Sequence, residues 1–122
     1  MLYTQVNLEQ FDIQQARIKF ILFKSKLRAI LYGGDLDDAV LSPRENAFGK
    51  WLYSEALQKL SNNAEVRELE KLNMAFTRKA SELISLYRKG KIEEARTGLR
   101  EIEEYEEDLL RLLSLLQRNT AA

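Results

Sequence analysis

Asn73 and Thr77 stand one helical turn apart in a run whose other regularly spaced members, Val66, Leu69, Phe76, Ala80, Leu83 and Tyr87, are apolar or aromatic. Spacings of three and four put such residues on one helix face. A carboxamide buried there without partners costs about 1–3 kcal/mol. Asn73 is therefore expected either to find a hydrogen bond inside the fold or to line a polar pocket for water, an ion or a small ligand. Trp51 reads as a packing residue. Asp35, Asp37 and Asp38 invite a calcium reading, but an EF-hand loop starting at Asp35 needs glycine at its sixth position and a carboxylate at its twelfth. Those places hold Val40 and Asn46, so the cluster reads as a solvated loop.

Composition removes most other chemistry. The 122 residues include no His and no Cys. Phosphotransfer on histidine, di-iron sites of the Glu-x-x-His type, imidazole-held haem, thiol catalysis and disulfides are excluded together. No nucleophile and base pair, phosphate-cradling glycine loop or Rossmann fingerprint is present, so neither an enzyme nor a cofactor is expected. Nineteen basic residues balance nineteen acidic ones, leaving no global field to draw the chain onto nucleic acid or an anionic membrane. No apolar run reaches the roughly 20 residues needed to span a bilayer, and no signal segment stands at the N-terminus. The expectation is a cytoplasmic protein with no membrane insertion. Its length suits one domain, residues 1–122, large enough to bury roughly two thirds of its unfolded surface.

The elements that must position Asn73 follow from glycine, proline and apolar spacing. A first helix is expected from about Leu8 to Tyr32, with Ile13, Ala16, Phe20, Phe23, Leu27 and Ile30 inward and Gly33-Gly34 as its stop. A polar loop, Asp35 to Leu41, leads to Ser42-Pro43-Arg44-Glu45, which has the form of a capping box and predicts a helix through Trp51 and Tyr53. A short helical turn near Ala56 to Leu60 precedes Ser61-Asn62-Asn63, which supplies the next N-cap. The helix carrying Asn73 follows and closes at Lys89-Gly90-Lys91. A last helix spans Ile92 to Arg118, with Ile92, Ala95, Leu99, Ile102, Tyr105, Leu109, Leu112 and Leu116 inward. Short connections favour antiparallel neighbours. The predicted fold is all-α, an antiparallel up-down four-helix bundle with an extra short helix.

Three stretches carry a family resemblance: Phe20 to Leu27, with Phe23-Lys24 and Leu27; Asn46-Ala47-Phe48-Gly49-Lys50-Trp51; and Asn73 with Thr77. In order and spacing they resemble the motifs of the CZB family, the chemoreceptor zinc-binding domains of bacterial sensory proteins. That family reads His-x-x-[Trp/Phe]-Lys-x-x-Leu, Cys-Ala-Leu-Gly-Lys-Trp and His-x-x-x-His. The resemblance runs from about Phe11 to Gln117. Laid over it, the four ligand positions hold Phe20, Asn46, Asn73 and Thr77. Structural zinc takes thiolate and imidazole donors, which none of these supplies, so no metal is expected. The resemblance implies that Phe20 fills the first ligand's place as core and that Asn73 bonds Asn46 or Thr77.

Two surface features bear on partners. Arg17, Lys19, Lys24, Lys26 and Arg28 make the first helix basic; Glu101, Glu103, Glu104, Glu106, Glu107 and Asp108 make the last one acidic. Such faces read as solvated surfaces of adjacent helices, or as a field that steers a partner. Leu109, Leu110, Leu112, Leu113, Leu115 and Leu116 exceed one seam, which favours a homodimer or a wide face buried within one subunit. The resemblance implies a non-enzymatic regulatory module that dimerises or docks on a bacterial signalling protein of the chemotaxis or cyclic-dinucleotide type. The alternative is a small-ligand sensor using the vacated zinc pocket.

Overall fold

In a computed structural model, which describes residues 10–120, all regular structure among the described residues is helical. Helix α1 runs Gln10–Leu31, α2 Ala47–Trp51, α3 Leu57–Lys59, α4 Ala64–Arg88, α5 Ile92–Thr97 and α6 Leu99–Thr120, with a 3-10 turn at Asp38–Leu41. The expected start of the first helix at Leu8 lies outside the described residues.

Local chemistry accounts for the ends of the long helices. Gly33 and Gly90 have φ of 103° and 86°, the left-handed conformation that glycine adopts without a Cβ penalty. Each closes a Schellman motif. Gly34 N–H donates to the Ala29 carbonyl at 2.7 Å and Gly33 N–H to Ile30, while Lys91 N–H donates to Leu86 at 3.0 Å and Gly90 N–H to Tyr87. At the start of α4, Asn63 Oδ1 accepts from the Val66 amide at 3.0 Å.

All six residues expected inward on α1 are buried, together with Leu31, and on α4 Val66, Leu69, Asn73, Phe76, Thr77, Ala80, Leu83 and Ile84 are buried. Tyr87 is only half-buried. Along the last helix Ala95, Ile102, Leu109, Leu112, Leu113 and Leu116 are buried. Ile92, expected inward, is 38% exposed, because it begins the short α5 one residue after the Schellman turn, before the chain has closed on the core. Leu99 and Tyr105 are half-buried. Of the opposed charges expected on the first and last helices, Lys24 of α1 pairs with Glu106 of α6; Lys79 of α4, outside that expectation, reaches Glu101 of α6 at 3.1 Å. Both pairs are partly covered; fully exposed pairs would add about 0–1 kcal/mol each.

Three expectations are corrected. The helix expected to start at Ser42 starts after Asn46. Ser42 Oγ does accept from the Glu45 amide at 3.2 Å, but Asn46 has extended backbone, φ −66° and ψ 159°, so Pro43 to Glu45 form a turn and Asn46 becomes the N-cap. Next, α2 and α3 are continuous through a π-helical turn, Leu52–Ala56, so the extra short helix prolongs α2. The wider turn keeps Phe48, Trp51, Leu52 and Ala56 all buried. Finally, the last helix is interrupted at Gly98. A Cβ at Gly98 would run into the Leu83 side chain, so glycine lets the chain press against α4, and Glu101 N–H tightens onto the Gly98 carbonyl at 3.0 Å.

Candidate functional site

Asn46, Asn73 and Thr77 meet inside the protein. Asn73 and Thr77 lie one turn apart on the buried face of α4, and the cap of α2 brings Asn46 against them. Asn46 Nδ2 donates to Asn73 Oδ1 at 3.3 Å and to Thr77 Oγ1 at 3.2 Å, and lies 3.0 Å from the Ser42 carbonyl. Its two hydrogens are thus shared among three acceptors. Asn46 Oδ1 accepts from the Gly49 amide at 2.8 Å, and Asn73 Nδ2 donates to the Pro43 carbonyl at 2.8 Å. Exposure is 2% for Asn46, 0% for Asn73 and 3% for Thr77; burial that complete is stable only because the amides are bonded.

Gly49 is part of the same construction. A Cβ there would collide with the Pro43 carbonyl, the oxygen that accepts from Asn73. Only a residue without a side chain lets the turn fold close enough to α2 for that carbonyl to face α4.

Phe20 is fully buried and belongs to an aromatic cluster beside the polar trio. Its ring meets Phe76 edge-on, centroids 5.0 Å apart, Phe48 at 6.4 Å and Phe23 at 5.9 Å. Phe48 follows Asn46 by two residues, and Phe76 immediately precedes Thr77. Asn46, Asn73 and Thr77 thus form one hydrogen-bonded group, and Phe20 packs on Phe48 and Phe76. The donor set does not fit zinc: a ring, two neutral amides and a hydroxyl provide no thiolate or imidazole, and both amides are committed to internal bonds. With no titratable side chain among them, the four offer no acid–base chemistry. What they supply is a buried polar tie that fixes how the start of α2 sits on α4.

Trp51 is 3% exposed and packs on Phe48 at 5.6 Å between centroids, in keeping with a core role. Its Nε1–H has no hydrogen-bond partner among the described residues, a local cost of about 1–3 kcal/mol. Asp37 caps the 3-10 turn by accepting from the Ala39 amide at 3.1 Å and pairs with Lys26 at 3.0 Å. The Lys26 hydrogen bond, then the Ala39 amide, holds its carboxyl below the ordinary range. Asp35 and Asp38 are exposed and stand apart from this arrangement.

One site had no sequence signal. A surface cleft of about 550 Å³ opens between the Ser42 turn, Tyr53 and α4, lined by Pro43, Arg44, Arg67, Glu70 and Met74 among others. Tyr53 Oη donates to Glu70 Oε2 at 3.0 Å while the Arg44 guanidinium lies over its ring at 4.2 Å. Burial, reinforced by the Glu70 carboxylate, raises the Tyr53 phenol above its ordinary value. Tyr53 and Glu70 are 17 residues apart on different helices, and no spacing rule links them. Compared with family models, curated proteins and solved structures, the chain matches none.

Proposed function

We propose that the protein is a non-enzymatic regulatory module of bacterial signalling, a zinc-free relative of the CZB domains, built as an antiparallel up-down four-helix bundle. It acts by binding a partner, most simply a signalling protein of the chemotaxis or cyclic-dinucleotide type, in the cytoplasm. The supporting observation is the meeting of Asn46 with Asn73 and Thr77, 27 and 31 residues away, at the positions where the family motifs place metal ligands. Neutral hydrogen bonds there take over the task of a metal, tying α2 to α4.

Of the two modes of action, docking is better supported than homodimerisation through the leucines. Leu109, Leu112, Leu113 and Leu116 are buried within one subunit, and only Leu110 and Leu115 remain half-buried. A ligand sensor would need free polar groups at the vacated site. The amides there are already bonded to each other, to Thr77 and to the backbone of Ser42, Pro43 and Gly49, which favours the interaction module.

The resemblance is tested by restoring the ligands. The combined change Phe20→His, Asn46→Cys, Asn73→His and Thr77→His should create cobalt and zinc binding, with the thiolate-to-metal absorption of a tetrahedral cobalt site. Affinity should fall short of a natural site, since partners that orient the ligands were not retained for that purpose. A folded quadruple variant that binds neither metal would refute the alignment and the family reading with it.

A further inference from the structure

Helix α1 is apolar on two opposite sides. Its inner stripe fills the core, yet Ile18, Ile21 and Leu22 on the far side are 54%, 45% and 46% exposed. The outward residues continue in register: Ile18, Leu22, Ser25, Ala29 and Tyr32 are spaced four, three, four and three, the seam of a helix prepared to pack against another helix. All five are exposed. An apolar seam outside the core marks a contact surface; Arg96 stacks on its Tyr32 end and the 37–50 segment borders Leu22 at one edge, while Ile18, Leu22, Ser25 and Ala29 stay exposed.

The flanks indicate what covers it. In a heptad frame on this seam, Lys19, Lys26 and Arg28 fall at the flanking positions that choose a partner by charge. At the end of the seam Arg28 and Arg96 both stack on Tyr32, at 5.4 Å and 4.1 Å from the ring centroid. Asp37, which pairs with Lys26, offsets part of this charge. A second copy of α1 would set like charges against one another, and the outward side of α6 is charged, with no matching apolar seam. We propose that the outer face of α1 is a docking surface for an amphipathic helix of another protein, apolar along its centre and acidic along both flanks. Such helix-on-helix recognition takes its affinity from the apolar seam and its choice of partner from the charges beside it. The inference rests on the reading of the protein as an interaction module; its own observations, the exposed seam of α1 and the basic flanks, are separate from those at Asn46, Asn73 and Thr77.

The probe is a labelled synthetic helical peptide of four heptads with leucine along its seam and glutamate at the flanking positions, compared with the same peptide carrying lysine there. Fluorescence anisotropy should give at least tenfold tighter binding of the acidic peptide by the intact protein. The Ile18→Glu, Leu22→Glu variant should lose at least tenfold in affinity while keeping its circular dichroism and melting temperature, because both side chains are exposed. The Lys19→Glu, Arg28→Glu variant should prefer the lysine peptide. Equal binding of both peptides, or binding unaffected by the seam changes, overturns this surface and leaves the module reading in place. Binding to phosphatidylserine vesicles but not to the peptide, or a dimer in sedimentation that the seam changes dissolve, also overturns it by identifying a different occupant. Absence of peptide binding, vesicle binding and self-association together would sink the module reading as well.

Discussion

Asn46 donates from Nδ2 to Asn73 Oδ1 at 3.3 Å while its own Oδ1 caps α2 through the Gly49 amide. One carboxamide therefore both starts a helix and ties it to α4. The two tasks use opposite ends of the amide, so substitutions can separate them.

Asn46→Ala removes the cap and strands Asn73 Oδ1 in the core; the expected loss is about 2–4 kcal/mol in urea unfolding. Asn46→Asp keeps an oxygen for the Gly49 amide but turns the other end from donor to acceptor, toward Asn73 Oδ1 and the Ser42 carbonyl, and buries a carboxylate. Since a cap alone would accept aspartate, a loss approaching that of alanine is expected, and near-native stability of Asn46→Asp would show that the tie to α4 contributes little.

Gly49→Ala and Gly98→Ala should behave differently, although alanine is ordinarily better than glycine within a helix by about 1 kcal/mol. At Gly49 the new methyl meets the Pro43 carbonyl, and at Gly98 it meets the end of the Leu83 side chain. Backbone cannot move aside without breaking the Asn73 bond, whereas a leucine can change rotamer. Thermal denaturation should show Gly49→Ala destabilised by about 2–3 kcal/mol or more and Gly98→Ala by clearly less.

Trp51→Phe removes an indole N–H that lacks a partner among the described residues, together with some packing. Because loss of an unsatisfied donor offsets part of the lost contact, the change should cost no more than about 1.5 kcal/mol. Phe20→Ala empties the aromatic cluster and should cost about 3–5 kcal/mol. Comparable losses in the two variants would mean that the Trp51 N–H is satisfied.

Tyr53 should be among the last tyrosines to ionise in an alkaline titration followed by ultraviolet difference absorbance. Its phenol is raised above 10.0 by burial and by Glu70, so the folded state binds this proton more tightly than the unfolded chain. The associated stability is fully present below the unfolded value and is lost as pH rises through the folded one. Glu70→Gln should move the transition down toward the ordinary value; an unchanged titration would place the cause in burial alone.

Periodicity and glycine made much of this protein legible from sequence. The inward stripe of α1 and the stops at Gly33 and Gly90 depend on side chains three and four residues apart and on one residue's backbone freedom, both of which are local properties. The demand that Asn73 have a partner was also readable, because an amide among apolar neighbours carries a desolvation cost wherever the helix packs. Only the tertiary structure decided that α2 begins at Asn46, that a π turn carries Trp51 and Leu52 inward together, that Gly98 interrupts the last helix against Leu83, and that Tyr53 finds Glu70. Each of these turns on a group distant in the chain, whose position is set by how whole helices pack and not by the residues beside it.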